Sequence, residues 1–134
     1  MSGPREIVET FLAHFNAGRI DEAIDMLAED VFYHNIPMEP INGRAAVRTF
    51  THGFGVGSDF VAQWKTIAIA GCGNVVLTER LDEFVRADGA RMSIPLMGSF
   101  RIRDGYIAEW RDYFDLGDFQ RQFGALGDAR DTVE

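Results

Sequence analysis

Apolar residues follow a helical spacing in the first part of the chain. Over residues 4–17 and 21–29 they fall on one face of an α-helix, at positions i, i+4 and i+8 in the first segment. Each segment therefore predicts an amphipathic helix. Ser2 stands where an N-cap is expected, and Gly18 ends the first helix, so the two helices form a hairpin.

The next part of the chain predicts a strand, a helix and a loop. Residues 31–36 are aromatic and β-branched and stop at Pro37, which is typical of a short strand. A third helix is expected over residues 43–51, with Asn42 as its N-cap. Residues 52–58 contain three glycines without periodicity and predict a loop.

From residue 60 onward the pattern is that of strands joined by hairpin turns. Glycine-containing pairs and triplets separate four apolar segments, so we expect four antiparallel strands in a meander. These strands are predicted over residues 60–70, 74–86, 91–103 and 106–114. The tail from Leu116 carries one short amphipathic segment, and residues from about 126 to 134 are polar and expected to be flexible.

Helices followed by a long antiparallel sheet indicate the α+β class. We expect a cone-shaped barrel in which the N-terminal helices pack inside a strongly curved, mainly antiparallel mixed β-sheet. A chain of 134 residues can bury one core without metal or disulfide, so residues 1–134 are predicted to form a single domain. The concave face of the sheet and the helices would enclose a cavity for a small ligand.

Composition excludes several classes of function. Thirteen Lys and Arg against 21 Asp and Glu give a net charge of -8, which repels nucleic acid and anionic membranes. The apolar runs are too short to cross a bilayer, and the first residues lack the layout of a signal peptide, so a cytoplasmic protein is expected.

Neither a metal nor another cofactor is expected. The single cysteine, Cys72, cannot form an internal disulfide, and the three histidines are scattered without zinc-ligand spacing. The GFGVG run over residues 53–57 lacks the preceding strand and following helix of a nucleotide-binding loop.

Two predicted strands carry charged residues on one face. Alternation puts Arg80 and Asp82 on the same face of the second long strand, about 6.5 to 7 Å apart, within reach of an arginine side chain. On the last strand, Asp112 shares a face with Trp110. If both faces meet in the cavity, Arg80 can bridge Asp82 and Asp112. As an isolated feature, an Arg–Asp pair two apart is more often a solvated ion pair.

The opposite face of the second long strand carries a different set of side chains. Leu77 and Leu81 fall on that face, and so do Glu79 and Glu83. We expect the two glutamates to be solvent-facing or to lie in an interface, and we place the two leucines outside the site.

A buried carboxyl–guanidinium–carboxyl set can act as acid and base together. The cation keeps one carboxyl ionised, while burial and like-charge repulsion hold a proton on the other. Such a pair suits the addition of water to a strained ring, because the base removes a proton from water and the acid protonates the departing oxygen. Tyr33 and Asn35 share a face of the short strand and would hold that water.

Three motifs in this order resemble the limonene-1,2-epoxide hydrolase family over roughly residues 5–120. They are Phe32-Tyr-His-Asn-Ile-Pro37, Glu79-Arg-Leu-Asp-Glu-Phe84 and Trp110-Arg-Asp-Tyr-Phe-Asp115. The resemblance implies the cone fold of nuclear-transport-factor-like proteins, shared with ketosteroid isomerases and polyketide cyclases, usually as a homodimer. It also implies one-step, cofactor-free hydrolysis. Because the five polar residues are expected around an apolar cone, we predict that the substrate is a small apolar epoxide, cyclic and terpene-like or meso, which is converted to a vicinal diol.

The resemblance also assigns roles to residues. Asp112 is implied as the base that activates water, Asp82 as the acid that protonates the epoxide oxygen, and Arg80 as the bridge between them. Tyr33 and Asn35 are implied as further ligands of the water. The substrate-binding wall implied in the same way comprises Trp110, Met38, Met97, Leu116 and Phe123.

Two other classes of function stay open on the sequence. A ketosteroid-isomerase-like or polyketide-cyclase-like enzyme would move a proton in the same cone, although an arginine touching its base would lower the pKa of that base. A non-catalytic small-molecule-binding module would have no reason to bury two acids around an arginine. Exposed and widely separated Asp82 and Asp112 would favour the module.

Overall fold

The structure is a computed structural model that describes residues 2–131. Within that range the chain forms four helices and six strands. In chain order they are α1 (Pro4–Asn16), α2 (Ile20–Ile24), β1 (Leu27–Asn35), β2 (Ile41–Asn42), α3 (Arg44–Phe54), β3 (Phe60–Cys72), β4 (Val75–Arg86), β5 (Arg91–Arg103), β6 (Tyr106–Tyr113) and α4 (Leu116–Asp131).

The strands form one mixed sheet in the order β2-β1-β6-β5-β4-β3. Strands β3 to β6 are an antiparallel meander, β1 runs parallel to β6, and β2 pairs antiparallel with β1. The expected α+β class and the meander are confirmed. Strands β2 and β3 lie at the two edges and do not pair with each other, so the curved sheet is open rather than a closed barrel.

Helix α1 fills the inner face of the sheet with aromatic side chains. Phe11 is fully buried, and its ring meets that of Trp110 edge-on at a centroid distance of 5.0 Å. Phe15 stacks on Trp64 at 4.4 Å. Because side chains alternate between the two faces of a strand, the inward residues of every strand contribute to one core between sheet and helices.

The second helix is shorter than its apolar pattern predicts. The predicted range was 21–29, but α2 ends at Ile24 and the chain enters β1 at Leu27. Leu27 pairs with Ile107 of β6 and is fully buried there. Pairing with a distant strand thus overrides a local helical pattern. As a result, the strand predicted over 31–36 begins earlier, at Leu27.

Both predicted helix caps are wrong by one residue. The N-caps of α1 and α3 are Gly3 and Gly43, not Ser2 and Asn42, and neither helix has a side-chain cap. Asn42 is instead paired with Phe32 in the β1–β2 ladder. Gly43 follows with φ of +94°, a left-handed conformation that glycine adopts without steric cost.

Helix α3 also extends past its expected end, into the segment predicted as a loop. It continues from the predicted limit near residue 51 to Phe54 and ends where Gly55 adopts a left-handed φ of +99°. The remaining residues of the predicted loop form a tight connection to β3, in which the Phe60 amide donates to the Gly55 carbonyl at 2.9 Å.

The C-terminal tail forms a long helix rather than one short amphipathic segment. Helix α4 runs to Asp131, and residues 132–134 lie outside the described residues. The flexibility expected from about residue 126 stays a prediction. Leu126 is buried against Phe60 and Met92, and its carbonyl accepts a hydrogen bond from Arg86 at 3.2 Å. These contacts place the helix against β3, β4 and β5, although the sequence alone predicts only a short amphipathic segment here.

Glu83 is on the outer face of β4 as predicted, but it is not solvent-facing. It is only 4% exposed, because Lys65 and Arg91 cover it with Nζ–Oε1 and Nη1–Oε2 distances of 2.6 and 3.1 Å. The Ser93 hydroxyl donates to Glu83 at 2.7 Å. Hydrogen bonds from Lys65 and Ser93 lower the pKa of Glu83 to about 2. Glu79 is exposed, as expected.

We predict that Phe11→Ala destabilises the fold by about 3–5 kcal/mol, because it leaves a cavity among packed rings. The matched control is Tyr106→Ala, since Tyr106 is an aromatic side chain that is 48% exposed on β6. In this control we expect the free energy of unfolding to fall by less than about 1 kcal/mol. The measurement is urea unfolding followed by circular dichroism, and equal losses in the two variants would contradict the position of Phe11 in the core.

Candidate active site

The polar residues of the site stand on neighbouring strands of the sheet's inner face. Arg80 and Asp82 project from β4, with Thr78 two residues before them. Across the sheet, Thr78 pairs with Gly98 of β5, and Gly98 pairs with Asp112 of β6. The predicted faces of β4 and β6 therefore do meet over the same cavity.

The guanidinium of Arg80 binds both carboxyl groups. Its Nε and Nη2 donate to the two oxygens of Asp82 at 3.0 and 2.9 Å. Nη2 also donates to Oδ1 and Oδ2 of Asp112 at 3.3 and 3.2 Å. Nη1 donates to the Thr78 hydroxyl at 3.1 Å. Arg80 thus bridges two acids that come from strands on either side of β5.

Burial makes this contact electrostatically strong. Arg80 is 0% exposed, Asp82 3% and Asp112 4%. The guanidinium carbon also lies 5.8 Å from the ring centroids of both Trp64 and Phe100, within cation–π range. Water is therefore excluded from most of the bridge, and neither acid is the solvated surface residue that would favour a binding module.

The pKa values of the bridge show how the charges are shared. Burial alone would lower the pKa of Arg80, but the charges of Asp112 and Asp82 outweigh it and raise that pKa, so Arg80 stays a cation. Burial raises the pKa of Asp82 to about 6, although Arg80 opposes the shift, and the charge of Asp112 adds to it. Asp82 can therefore carry a proton close to neutral pH.

Tyr33 and Asn35 lie on β1 beside the bridge. Asn35 pairs with Asp112 across the parallel β1–β6 ladder, and Tyr33 pairs with Trp110. The Tyr33 hydroxyl donates to Asn35 Oδ1 at 3.2 Å, and the Asn35 amide nitrogen lies 3.0 Å from the same hydroxyl. Burial and the charge of Asp112 raise the pKa of Tyr33, so it stays protonated.

These groups face a cavity with mostly apolar and aromatic walls. The space between the walls measures about 650 Å³ with the open mouth included. Four of the five predicted polar residues line it, namely Tyr33, Asn35, Asp82 and Asp112. The predicted wall residues Trp110 and Met38 also line it. Arg80 lies behind them and bonds to both acids.

Three predicted wall residues lie elsewhere. Met97 is on the outer face of β5 and 51% exposed, because its neighbours Leu96 and Gly98 occupy the inward positions. Phe123 is also half exposed and touches the wall only through ring contacts with Phe54 and Phe119. Leu116, the first residue of α4, is not part of the lining.

The sequence reading missed much of the apolar wall. The missed lining residues are Phe15, Phe50, Thr51, Phe54, Val56, Trp64, Phe84, Ile94, Leu96, Phe114 and Phe119. A signal for some of them was present, since Phe84 shares the face of Asp82 on β4 and Leu96 shares the face of Phe100 on β5. The helical wall residues have no such signal, because the sequence does not show which helix covers the mouth.

Two further observations concern residues 2–131 alone. In this range no group of three or more His, Cys, Asp and Glu side chains is arranged to hold a metal ion. None of the helices in the same range is long and apolar enough to cross a membrane.

Comparison with known proteins identifies the class. Residues 2–124 match the family model of the limonene-1,2-epoxide hydrolase catalytic domain. Epoxide hydrolase EphG of Mycobacterium tuberculosis (strain ATCC 25618 / H37Rv) is 32% identical over 111 residues, which cover 83% of this chain and 72% of EphG. The protein is therefore an enzyme of the epoxide hydrolase class. It belongs to the limonene-1,2-epoxide hydrolase family.

Solved structures share the fold. An LEH-like epoxide hydrolase of M. tuberculosis superposes with a TM-score of 0.79 at 27% identity, over 98% of this chain and 96% of that one. The epoxide hydrolase/cyclase-like enzyme SalBIII, with a role in pyran ring formation in the polyether salinomycin, superposes with a TM-score of 0.76 at 19% identity, over 86% and 92% of the two chains. The second likeness establishes the fold alone.

The raised pKa of Asp82 predicts a pH-dependent contribution to stability. A carboxyl whose pKa is about 6 when folded and 3.8 when unfolded stabilises the fold fully below pH 4, and this contribution is lost as the pH rises through 6. Between pH 4 and 7, we expect the free energy of unfolding of the wild type to fall by up to about 3 kcal/mol relative to that of Asp82→Asn. Urea unfolding of both proteins across this range measures the difference, and parallel curves would contradict the shift.

Proposed function

We propose that this enzyme adds an activated water to a small apolar epoxide in one step and gives a vicinal diol. The observation that carries the proposal is the buried contact of one guanidinium with two carboxyl groups at the wall of an apolar cavity. No metal or organic cofactor takes part in the proposed reaction.

The proposed reaction uses the two acids in different roles. The Asp112 carboxylate accepts a proton from water while the water oxygen bonds to an epoxide carbon. The carbon–oxygen bond of the ring breaks, and the Asp82 carboxyl gives its proton to the departing oxygen. The raised pKa of Asp82, about 6, supports its role as the acid. A proton passing from Asp112 back to Asp82 restores the starting state.

Attack from the face opposite the departing oxygen inverts the attacked carbon. A cyclic epoxide therefore gives a trans diol. Tyr33 and Asn35 complete the water site in this proposal, because a protonated hydroxyl and an amide offer both donors and acceptors next to Asp112. Their mutual hydrogen bonds keep the two side chains in place before water binds.

The cavity supports an apolar substrate of modest size. The lining contains no lysine or arginine, and its polar side-chain atoms belong to seven residues, namely Tyr33, Asn35, Thr51, Trp64, Asp82, Trp110 and Asp112. Asp82 and Asp112 carry the proposed reactive acids. An uncharged epoxide with a hydrocarbon body, cyclic and terpene-like or meso, fits such walls. The other walls supply apolar contact and exclude water around the reacting bond.

The bridge favours hydrolysis over proton shuttling alone. An isomerase needs a base whose pKa suits reversible proton transfer from carbon, and a bound guanidinium favours the ionised form of the carboxyl that it touches. Here Arg80 touches both acids and lowers the pKa of Asp82 against the effect of burial. A water-adding enzyme needs an acid and a base at the same time, which this pairing supplies.

We also propose that the enzyme is a homodimer joined through the outer face of its sheet. That face exposes large apolar side chains on neighbouring strands, including Val61 of β3 at 58% and Leu77 of β4 at 47% exposure. Burial of such a surface between two copies would favour association. Location in the cytoplasm stays a prediction from the sequence.

Asp112→Asn is expected to lower the rate of diol formation at least 1000-fold, on the order of the loss of a general base, while the fold is kept. The control is Asp104→Asn in the exposed turn between β5 and β6, which we expect to keep wild-type activity. The assay measures diol from limonene-1,2-epoxide and cyclohexene oxide, with circular dichroism as a check of folding. Full activity of Asp112→Asn would refute the role of the base.

A single-turnover reaction in oxygen-18 water tests the one-step route. We expect the diol of the first turnover to carry one labelled oxygen, because the water itself attacks the epoxide. Label that enters only from the second turnover would show that an enzyme carboxyl attacks first, which contradicts the proposed roles. Absence of diol together with rapid deuterium exchange into a 3-ketosteroid would support the isomerase instead.

A further inference from the structure

The bridge has to span an intervening strand. Arg80 is on β4 and Asp112 is on β6, with β5 between them. Adjacent strands are about 4.8 Å apart, so the backbones that carry these two residues are separated by about 10 Å. The residue of β5 that lies directly across from Asp112 on the inner face is Gly98. The Arg80 side chain has to pass over this position.

Gly98 leaves the space that the guanidinium occupies. A Cβ atom on Gly98 would lie 2.4 Å from Arg80 Nη1, 2.8 Å from Thr78 Oγ1 and 2.9 Å from Asp112 Oδ1. All three distances are shorter than real Cβ contacts. Gly98 does not have a positive φ, unlike seven other glycines of the chain, so it is required for space and not for backbone conformation.

Thr78 holds the guanidinium from the other end. Its hydroxyl accepts a hydrogen bond from Arg80 Nη1 at 3.1 Å and donates one to the Gly98 carbonyl at 3.4 Å. Thr78 is only 1% exposed, so water does not replace these bonds. Asp82 binds the opposite edge of the guanidinium, and the plane of the cation is thereby fixed with Nη2 directed at Asp112.

We propose that Gly98 and Thr78 are positioning residues that set Arg80 between the two acids. Gly98 does so by leaving room for the guanidinium, and Thr78 does so by anchoring Nη1. The inference rests on the proposed function, because it assigns the geometry on which the acid and the base depend. Neither residue touches the reacting atoms in this proposal.

Gly98→Ala tests the inference directly. All three atoms that the new methyl group would meet are the ends of side chains, so Arg80 can move without displacement of the backbone. We expect kcat for diol formation to fall about 100-fold while KM changes less than about threefold, because the acid and base lose their relative placement. The matched control is Gly71→Ala on β3, where a Cβ meets nothing within 4 Å.

The pH profile distinguishes positioning from a general loss of structure. Arg80 lowers the pKa of Asp82, so displacement of Arg80 raises that pKa and moves the alkaline limb of the kcat profile to higher pH. The other titratable groups near Asp82 are Asp112 on β6 and Tyr33 on β1, both beyond β5, and both are kept in these variants. We expect this movement in Gly98→Ala and not in Gly71→Ala. Equal rates and profiles in the two variants would overturn the role of Gly98.

A second pair of variants tests Thr78 independently. Thr78→Val keeps the shape and removes the hydroxyl, and we expect kcat to fall about tenfold, as for loss of a hydrogen bond to a charged group. Thr78→Ser keeps the hydroxyl and is expected to restore most of the rate. Loss of activity in both variants, or in neither, would contradict the anchoring role of Thr78. This pair of variants still tests the positioning of Arg80 if Gly98→Ala does not fold.

One further measurement separates failure of this inference from failure of the proposed function. If wild type makes no diol, the proposed function fails, and titration of the Asp82 carboxyl carbon by carbon-13 NMR then tests the placement of Arg80. A higher Asp82 pKa in Gly98→Ala than in wild type supports the inference without any turnover. An unchanged pKa overturns it.

Discussion

The contact between Arg80 and two buried carboxyl groups is the interaction on which the site depends. Burial of an isolated carboxylate is costly, and a single guanidinium can neutralise the charge of only one of two acids. The remaining excess charge is relieved when one acid keeps a proton. Burial raises the pKa of Asp82 to about 6, so this carboxyl takes up a proton more readily than a free aspartate does. The proposed division into acid and base rests on this buried set of one cation and two carboxyl groups.

The sheet supplies this arrangement through alternation and register. A shift of one residue in any of the strands β4, β5 or β6 would turn its inward side chains to the outer face. The parallel strand β1 adds Tyr33 and Asn35 at the side of β6, where Asn35 lies across from Asp112. The four neighbouring strands β1, β6, β5 and β4 therefore fix the positions of the polar groups. Gly98 of β5, which has no side chain, leaves the space through which Arg80 reaches Asp112.

The sequence pattern predicted the features that depend on residues close together in the chain. Alternation along β4 placed Arg80 and Asp82 inward, and glycine turns marked the meander. The pattern failed where distant contacts decide, as at Leu27, which looks helical but pairs with β6. Met97 was expected in the wall on resemblance, whereas counting along β5 from Phe100 would have chosen Leu96. The full length of helix α4 could not be predicted, because its position depends on contacts of Leu126 with Phe60 of β3 and Met92 of β5, which are distant in the sequence.

Chemistry and the shape of the cavity have separate structural origins. The acids, the bridge, Tyr33 and Asn35 all stand on strands, whereas the outer walls include Phe50 and Phe54 of α3 and Phe119 of α4. The guanidinium is enclosed by Trp64 and Phe100, which stand on strands. The helical rings pack on the strand residues next to it, since Phe50 lies 6.0 Å from Tyr33 and Phe54 lies 5.6 Å from Phe84 between ring centroids. Changes to the helical rings therefore alter the space for a substrate, and a change at Phe50 also reaches Tyr33, because residues in contact do not act independently.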